Sequence, residues 1–346
     1  MELSDEILMN RCLDLAYLGN GYVAPNPMVG CVILHDDKII GEGYHAKYGS
    51  DHAEVMAIRS VKDPSLLKES TLYVSLEPCN HFGKTPPCVD RIIKAEIKKV
   101  VIGCEDIHSK VSGRGISALR DAGIEVVENV LQEQCEALNK RFFTFHKRKR
   151  PYVVLKWAQT KDGFLDRTRD ASSKPKINWI SAPETKSLVH KWRAEEDAIL
   201  VGRNTVLYDN PSLTVREWTG QNPIRIVIDS HLQTDIKGNV FSDGAKTLIL
   251  NLEKNSSVDN VEYIKIEETS TKCILNELYK RGIQSVLVEG GSRTLQYFIV
   301  DNAWDEARVI VGNQYFEDGI KAPVISKVPS DSVNFGEDKI YFYNRR

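Results

Sequence analysis

Two cysteines and a histidine are spaced in this sequence so that they could hold one metal ion. Cys79 and Cys88 flank eight residues in the proline-rich stretch PCNHFGKTPPC, and His52 lies upstream in DHAEVMA, two residues before Glu54. The cysteine pair alone is compatible with a disulfide, with half of a metal site or with two inert thiols, and a single His52 is compatible with a helix cap. Taken together, the three side chains fall at the ends of predicted helices and strands, where they can converge, and this favours a metal site over a disulfide.

The pattern H-x-E followed by P-C-x(n)-C is the signature of zinc-dependent deaminases. One imidazole and two thiolates would give Zn²⁺ three protein ligands and leave its fourth position open to water. Zinc lowers the pKa of such a water, which makes hydroxide available near neutral pH. Glu54 would carry the proton from water to the ring nitrogen and then to departing ammonia. We therefore predict one Zn²⁺ per chain on His52, Cys79 and Cys88, with Glu54 as the catalytic residue.

Alternating strand and helix patterns predict two α/β domains. Apolar residues at helical spacing predict a helix over 4–18, strand-forming residues predict a hairpin within 28–43, and residues 130–146 are predicted to form one helix. The basic run HKRKRP precedes a new strand pattern, YVVLKWAQT, and we place the domain boundary there, giving domains 1–147 and 148–346. The basic run itself fits the solvated end of a helix better than a nuclear address or an anion patch.

Composition excludes several classes of function. The formal net charge of -2 gives no global basic field that would draw the chain onto nucleic acid. No window of the sequence is apolar over 18 residues, so we expect no membrane span, and the acidic start MELSDEILMN lacks the pattern of a secretory signal. Seven cysteines without such a signal indicate the reducing cytoplasm, where paired cysteines more often bind metal.

The first half resembles the deaminase half of the bifunctional deaminase/reductase family of riboflavin biosynthesis. The resemblance lies in PNPMVGCVI, GEGYH, DHAE and PCNHFGKTPPC, whose cysteine spacing is wider than the C-x-x-C of other deaminases. It implies a cytidine-deaminase-like three-layer α/β fold and a pyrimidine substrate that carries a ribose 5-phosphate. Asn26, Asp106 and Lys84 would then bind substrate, Lys84 at the phosphate. His108 stands where the family has Asn, and His81 fits either a position near the zinc or packing within the turn.

The second half lacks G-x-G-x-x-G, so a Rossmann dinucleotide site is not expected. It does contain LVEGGSRTLQYF, a strand, a double glycine and a helix start that could approach a phosphate closely. The segments LKWAQTKDGF, NWIS, DAILVGRNTVLYDNPSLTVR, RIVIDS and VEGGSRTL follow the order of the reductase half of the same family, which is similar to dihydrofolate reductase in fold. Lys161 lies where the family often has Leu, so we expect it to contact an NADPH phosphate or to face solvent.

The resemblance implies three groups of residues in this reductase half. Lys156 would be catalytic, polarising or protonating the sugar oxygen. The NADPH groove would be lined by Ala158, Trp179, Thr205, Asp209, Ser230, Gly291, Ser292, Arg293, Thr294 and Leu295. The substrate would be contacted by Arg193, Leu213, Arg216 and Glu289, although each arginine is equally compatible with a surface ion pair.

The chain is therefore predicted to be a cytoplasmic enzyme that deaminates a phosphoribosyl pyrimidine with Zn²⁺ and reduces its ribosyl chain with NADPH. We expect a homo-oligomer, a dimer or a tetramer. The alternatives are a nucleic-acid deaminase with an accessory domain, a non-enzymatic scaffold, and a deaminase whose reductase half is inactive.

Overall fold

A computed structural model describes residues 4–82, 86–107, 113–169, 175–235 and 237–345. The chain forms two compact units, Met1–Arg148 and Lys149–Arg346. In the described residues, no helix has both the length and the apolar character that crossing a bilayer requires.

The first unit is built on one mixed sheet with the strand order β2-β1-β3-β4-β5. Its strands are β1 (Gly30–His35), β2 (Lys38–Tyr44), β3 (Thr71–Leu76), β4 (Lys99–Cys104) and β5 (Glu125–Val127). Its helices are α1 (Asp5–Tyr17), α2 (Ala53–Ser60), α3 (Cys88–Lys94), α4 (Arg114–Asp121), α5 (Gln132–Leu138) and α6 (Lys140–Arg148), with a 3₁₀ turn at Pro64–Glu69. The expected hairpin is β1–β2, which pairs antiparallel, whereas β3, β4 and β5 run parallel.

Each face of this sheet carries its own apolar core, because alternate strand residues point to opposite faces. Ile33 packs with α2, α3 and α4 on one face, whereas Val32 packs with α1 and α5 on the other. The predicted three-layer arrangement of helices on both sides of a sheet is therefore confirmed.

The single helix predicted over 130–146 is wrong, since α5 and α6 are separated at Asn139. The Asn139 side chain accepts a hydrogen bond from Met28 N at 2.8 Å and donates one to Met28 O at 2.9 Å. This buried amide ties the helix break to the loop that precedes β1.

The second unit contains a ten-stranded sheet, counted over the described residues, with the order β11-β12-β10-β9-β8-β13-β6-β14-β17-β16. Its strands, including the separate pair β7 and β15, are β6 (Tyr152–Gln159), β7 (Phe164–Asp166), β8 (Ala198–Gly202), β9 (Ile224–Ile228), β10 (Thr247–Asn251), β11 (Ser256–Val258), β12 (Val261–Lys265), β13 (Ser285–Val288), β14 (Glu306–Val311), β15 (Ile320–Lys321), β16 (Asp331–Phe335) and β17 (Asp338–Asn344). Its helices are α7 (Pro183–Glu195), α8 (Arg203–Asp209), α9 (Asn239–Ser242), α10 (Thr271–Lys280) and α11 (Ser292–Val300).

Strands β6, β13, β8 and β9 lie side by side and parallel in this sheet. Their carboxyl ends therefore meet at one edge, which is where open α/β sheets bind ligands. The predicted reductase residues that follow these strands are consequently brought to a common edge.

Candidate active sites

The three predicted zinc ligands of the first unit lie at the ends of three elements. His52 directly precedes α2, Cys79 follows β3, and Cys88 is the first residue of α3. Their ligand atoms all lie within 4.8 Å of one another. The three element ends therefore converge, as the sequence predicted.

The atoms that face one another are those a zinc ion would need. His52 Nδ1 lies 3.2 Å from Cys88 Sγ and 3.5 Å from Cys79 Sγ, and both cysteines are free thiols, so the disulfide alternative is wrong. Hydrogen bonds, first of all from Cys88, lower the pKa of Cys79 to about 4, and the bond to Cys79 raises the pKa of His52 to about 9. The thiolate form of Cys79 is therefore favoured at neutral pH. Metal binding would release the proton from the His52 imidazole. One nitrogen and two sulfurs at this spacing fit a tetrahedral zinc site with an open fourth position.

Glu54 lies in the first turn of α2 and is 3 % exposed. Burial, with the charge of Cys79, raises the pKa of its carboxyl to about 7. A carboxyl with this pKa exchanges its proton near neutral pH, as a general acid and base must.

Asn26 is held by His45, a residue to which the sequence analysis gave no function. His45 Nδ1 lies 3.0 Å from the Asp51 carbonyl oxygen, which can only accept, so Nδ1 carries the proton. Burial lowers the pKa of His45, so the neutral ring accepts at Nε2 from Asn26 Nδ2 at 3.0 Å. This bond fixes the orientation of the Asn26 amide, with Nδ2 towards His45 and the side-chain oxygen on the other branch. The available signal was GEGYH, which places His45 just after β2.

Glu77 is a second residue that the sequence analysis missed. It lies between β3 and Cys79, is 3 % exposed, and accepts backbone hydrogen bonds from Asp106, Gly113, Gly115 and Ile116 at 2.8 to 3.2 Å. A Cβ on Gly115 would stand 2.1 Å from the Pro78 carbonyl oxygen, so α4 approaches the zinc strand as closely as glycine permits. Predicted substrate residue Asp106 is therefore fixed through its backbone. Two further residues named from the sequence, Lys84 and His108, lie outside the described residues.

In the second unit, most predicted reductase residues line one cavity of about 200 Å³. The predicted residues in its wall are Lys156, Ala158, Trp179, Arg193, Thr205, Asp209, Leu213, Arg216 and Glu289. They come from strands, helices and loops that are far apart in the chain, and the parallel sheet brings them to one edge.

A buried charge cluster lies in the wall of this cavity. Val288 of β13 pairs with Leu155 of β6, so the next residues, Glu289 and Lys156, are neighbours, with Nζ 3.7 Å from Oε2. Arg193 binds the same carboxylate through Nε and Nη2, both at 2.8 Å. Burial alone would raise the pKa of Glu289, but Arg193 and Lys156 outweigh it and lower the pKa to about 2. Burial lowers the pKa of Lys156, which makes its ammonium a better proton donor.

Helix α7 contributes two more cavity residues that the sequence analysis missed. Lys186 Nζ lies 3.9 Å from the ring centre of Trp179, and His190 Nδ1 accepts a hydrogen bond from Arg216 N at 2.9 Å. Lys186, His190 and Arg193 are spaced four and three residues apart, so they share one helical face. This helical spacing is the feature of the sequence from which Lys186 and His190 could have been identified.

Several predicted cofactor residues lie outside the cavity wall. Ser230 follows β9, and residues 291–295 form the glycine turn and the first residues of α11. The side chain of Leu295 is fully buried in the apolar core, so only its backbone could serve a ligand. A Cβ at Gly290 would lie 2.4 Å from Val201 Cα, so glycine is needed for the start of α11 to approach β8. The amides at this helix start fit a phosphate, as the NADPH prediction requires.

Two charged residues near the predicted groove have protein partners. Arg169 binds Asp209 at 2.9 Å and Asp166 at 2.7 Å, while burial raises the pKa of Asp209 to about 6. Lys161 is exposed and donates to Asn313. It therefore adopts the solvent-facing orientation, one of its two expected alternatives.

Comparison with known proteins matches each unit to a family. The family described as "RibD C-terminal domain" matches residues 151–315, and "Cytidine and deoxycytidylate deaminase zinc-binding region" matches residues 3–104. The riboflavin biosynthesis protein RibD of Aquifex aeolicus is 39 % identical, covering 99 % of this chain and 98 % of its own length. The Escherichia coli RibD is 36 % identical, covering 84 % of this chain and 82 % of its own length.

A solved structure extends the likeness to the whole fold. The Thermotoga maritima diaminohydroxyphosphoribosylaminopyrimidine deaminase/5-amino-6-(5-phosphoribosylamino)uracil reductase superposes with a TM-score of 0.87 at 38 % identity, covering 98 % of both chains. The fold and the two sites thus define a zinc-dependent deaminase joined to an NADPH-dependent reductase. The chain belongs to the RibD family, the bifunctional deaminase/reductases of riboflavin biosynthesis.

Proposed function

We propose that the first unit hydrolytically deaminates 2,5-diamino-6-(5-phosphoribosylamino)pyrimidin-4(3H)-one. The second unit then reduces the ribosyl side chain of the product to ribityl, giving 5-amino-6-(5-phosphoribitylamino)uracil. The observation that carries the proposal is the pair of built sites: a His52/Cys79/Cys88 cluster beside a buried Glu54, and a cavity that surrounds Lys156.

In the deaminase site, His52, Cys79 and Cys88 hold the metal, and Asn26 accepts from the substrate. Zinc, when bound, supplies a Lewis acid that lowers the pKa of water. Glu54 carries one proton of the attacking water to the ring nitrogen and the second to the amino group, which leaves as ammonia. Its burial beside the ligands supports this, because a carboxylate shielded from solvent exchanges protons with the substrate rather than with bulk water.

Asp106 and Lys84 complete the proposed deaminase site. Glu77 holds the Asp106 backbone beside the zinc strand, which supports a substrate contact there. Lys84 is assigned to the 5-phosphate on the family resemblance.

In the reductase site, Lys156 donates a proton to the sugar ring oxygen as the ring opens at C1. NADPH supplies the hydride when it is bound. Glu289 keeps the Lys156 ammonium directed into the cavity, and Arg193 holds Glu289 through two parallel hydrogen bonds.

The remaining residues are proposed to bind the two ligands. Leu213 and Arg216 contact the substrate, and Glu289 and Arg193 shape its site. The NADPH groove is proposed to consist of Ala158, Trp179, Thr205, Asp209, Ser230, Gly291, Ser292, Arg293, Thr294 and Leu295.

A coupled assay tests both activities. The purified protein is supplied with the diaminopyrimidine phosphate and NADPH, and ammonia and NADPH absorbance are followed together. We expect ammonia release without NADPH, and NADPH oxidation only after deamination. Zinc removal by a chelator should stop ammonia release but leave reduction of added aminouracil intact. Absence of ammonia release from zinc-loaded protein would refute the deaminase assignment, and absence of NADPH oxidation with added aminouracil would favour the inactive-reductase alternative.

We also propose a reducing, cytoplasmic location and a homo-oligomeric state. All seven cysteines are free, and the zinc thiolates need a reducing compartment to stay so. Sedimentation analysis would measure the oligomeric state, for which a dimer or a tetramer is expected.

A further inference from the structure

His190 lines the reductase cavity, although it has no assigned part in the reaction. It lies on α7 three residues before Arg193, and it is 4 % exposed. The cavity wall next to it contains Arg216, whose backbone it binds. A polar side chain this deeply buried in the wall of a ligand site requires an explanation.

The hydrogen bond at Nδ1 fixes where the His190 proton lies. The backbone N–H of Arg216 donates to Nδ1 at 2.9 Å, so Nδ1 is unprotonated. Burial, together with the charges of Arg193 and Arg216, lowers the pKa of His190 to about 4, so the ring is neutral at pH 7. The single proton is consequently on Nε2. In the part of the chain that the structure describes, Nε2 has no hydrogen-bond partner, so its N–H is available to a ligand.

The surrounding charges indicate what that ligand atom is. Arg193 uses Nε and Nη2 on Glu289 and donates from Nη1 to the Thr214 carbonyl oxygen at 3.3 Å, so three of its five N–H groups have protein partners. The Arg216 side chain is exposed, and within the described residues its guanidinium donates one hydrogen bond, from Nη1 to Thr214 Oγ1 at 2.8 Å. The guanidinium of Arg216 therefore retains donors for an anion, and His190 adds a neutral, directional N–H beside it.

We infer that His190 is a phosphate-binding residue of the reductase site, donating Nε2–H to an oxygen of the substrate's 5-phosphate next to Arg216. This inference rests on the proposed function, because it takes the phosphoribosyl aminouracil as the ligand. Phosphate oxygens accept such hydrogen bonds strongly. A neutral imidazole gives direction without adding a further cation to Arg193, Arg216 and Lys156.

Two substitutions separate binding from structural support. His190→Asn keeps an acceptor at the Nδ1 position, which preserves the bond to Arg216 N, but removes the Nε2 donor. His190→Gln keeps a donor at the Nε2 position but loses the acceptor for Arg216 N. The binding inference therefore predicts that the Gln variant retains more activity, whereas the melting temperatures follow the opposite order.

The expected result is a kcat/KM for the phosphorylated aminouracil that is about 10- to 100-fold lower in His190→Asn, the size of one lost hydrogen bond to a charged group. The loss should appear in KM, with kcat and the KM for NADPH nearly unchanged. His190→Gln should stay within about threefold of wild type, and ammonia release should be normal in both variants. Equal activity in the two variants, or activity that follows their melting temperatures, would overturn the inference, as would a raised KM for NADPH.

The dephosphorylated aminouracil riboside tests the phosphate assignment. With this substrate, the difference between the Asn and Gln variants should disappear, and its persistence would overturn the phosphate assignment. The proposed function is tested separately by wild-type turnover of the phosphorylated substrate. Failure of the wild type would refute that function, whereas a wild type that works while the variants show no difference would refute only the inference about His190.

Discussion

Replacing Glu77 by glutamine tests whether one buried carboxylate holds the deaminase site together. The two Glu77 oxygens accept four backbone hydrogen bonds, from Asp106 and Gly113 on one oxygen and from Gly115 and Ile116 on the other. A glutamine has one acceptor oxygen, so two of the four N–H groups would face an NH₂ group that cannot accept. Glu77→Gln therefore leaves two buried donors without partners.

The size of the effect follows from those two donors. Each unsatisfied buried donor costs about 1–3 kcal/mol, which gives about 2–6 kcal/mol in total. Burial raises the pKa of Glu77, because it disfavours the charged form. Removing that charge offsets part of the cost, and we expect the free energy of unfolding to fall by about 2–4 kcal/mol. In a unit of this size each kcal/mol corresponds to about 2–4 °C, so the deaminase should lose half its activity roughly 5 to 15 °C below wild type.

The assay heats the full chain in steps and then measures ammonia release and NADPH oxidation in the same samples. NADPH oxidation with added aminouracil phosphate provides an internal reference, because it does not need the deaminase and Glu77 lies in the deaminase unit. Glu42→Gln is the matched control: Glu42 forms an ion pair with Arg11 at 2.7 Å and is 32 % exposed, so its loss should cost at most about 1 kcal/mol. If the temperature of half-inactivation of Glu77→Gln lay within about 2 °C of that of Glu42→Gln, Glu77 would not stabilise the deaminase site as described.

Three further substitutions test the chemistry of the two sites. Glu54→Gln should retain about one zinc per chain, measured by metal analysis, while ammonia release falls at least about 100-fold, because a general acid and base is lost; undiminished release would remove Glu54 from the mechanism. Lys156→Ala should stop NADPH oxidation yet leave ammonia release intact, and a parallel loss of both activities would contradict two separate sites. The pKa of Glu289 is lowered from 4.5 to about 2, so the stability it contributes is present above about pH 4.5 and is lost as the pH falls towards 2. Denaturant unfolding should therefore show the advantage of wild type over Glu289→Gln shrinking across that window by on the order of 3 kcal/mol, and a constant difference would mean that Glu289 does not titrate as described.

The two α/β domains could be predicted because their signals are local. Strand and helix periodicities identified the β1–β2 hairpin, α1, and strands β6 and β13 of the second unit without knowledge of any long-range contact. The break between α5 and α6 could not be predicted in this way. It depends on a hydrogen bond between Asn139 and Met28, which are 111 residues apart, and a tertiary contact of this kind does not alter the helical periodicity of the sequence.

The zinc site could be predicted because zinc binding depends on residue types and spacings that are visible in the sequence. The residues that support the site could not be predicted in this way. His45 and Glu77 act through the tautomer of a ring and through backbone amides brought together by folding. Neither property can be read from residue identity. His190 is an intermediate case, since its spacing from Arg193 places both on one face of α7, but only the bond from Arg216 N shows where its proton lies.

The contacts of Arg193 in the fold change the role that the sequence led us to expect for it. From the sequence it was expected to face the substrate, and it does line the cavity, yet three of its five N–H groups bind Glu289 and Thr214. Two buried cations, Arg193 and Lys156, would repel each other without the carboxylate between them, and a buried pair left without one partner is costly. Arg193 therefore fixes Glu289, and Glu289 in turn fixes the ammonium of Lys156, the proposed proton donor. Because three of the five Arg193 donors already have protein partners, Arg216 with His190 beside it offers the larger set of donors for the anionic end of the proposed substrate.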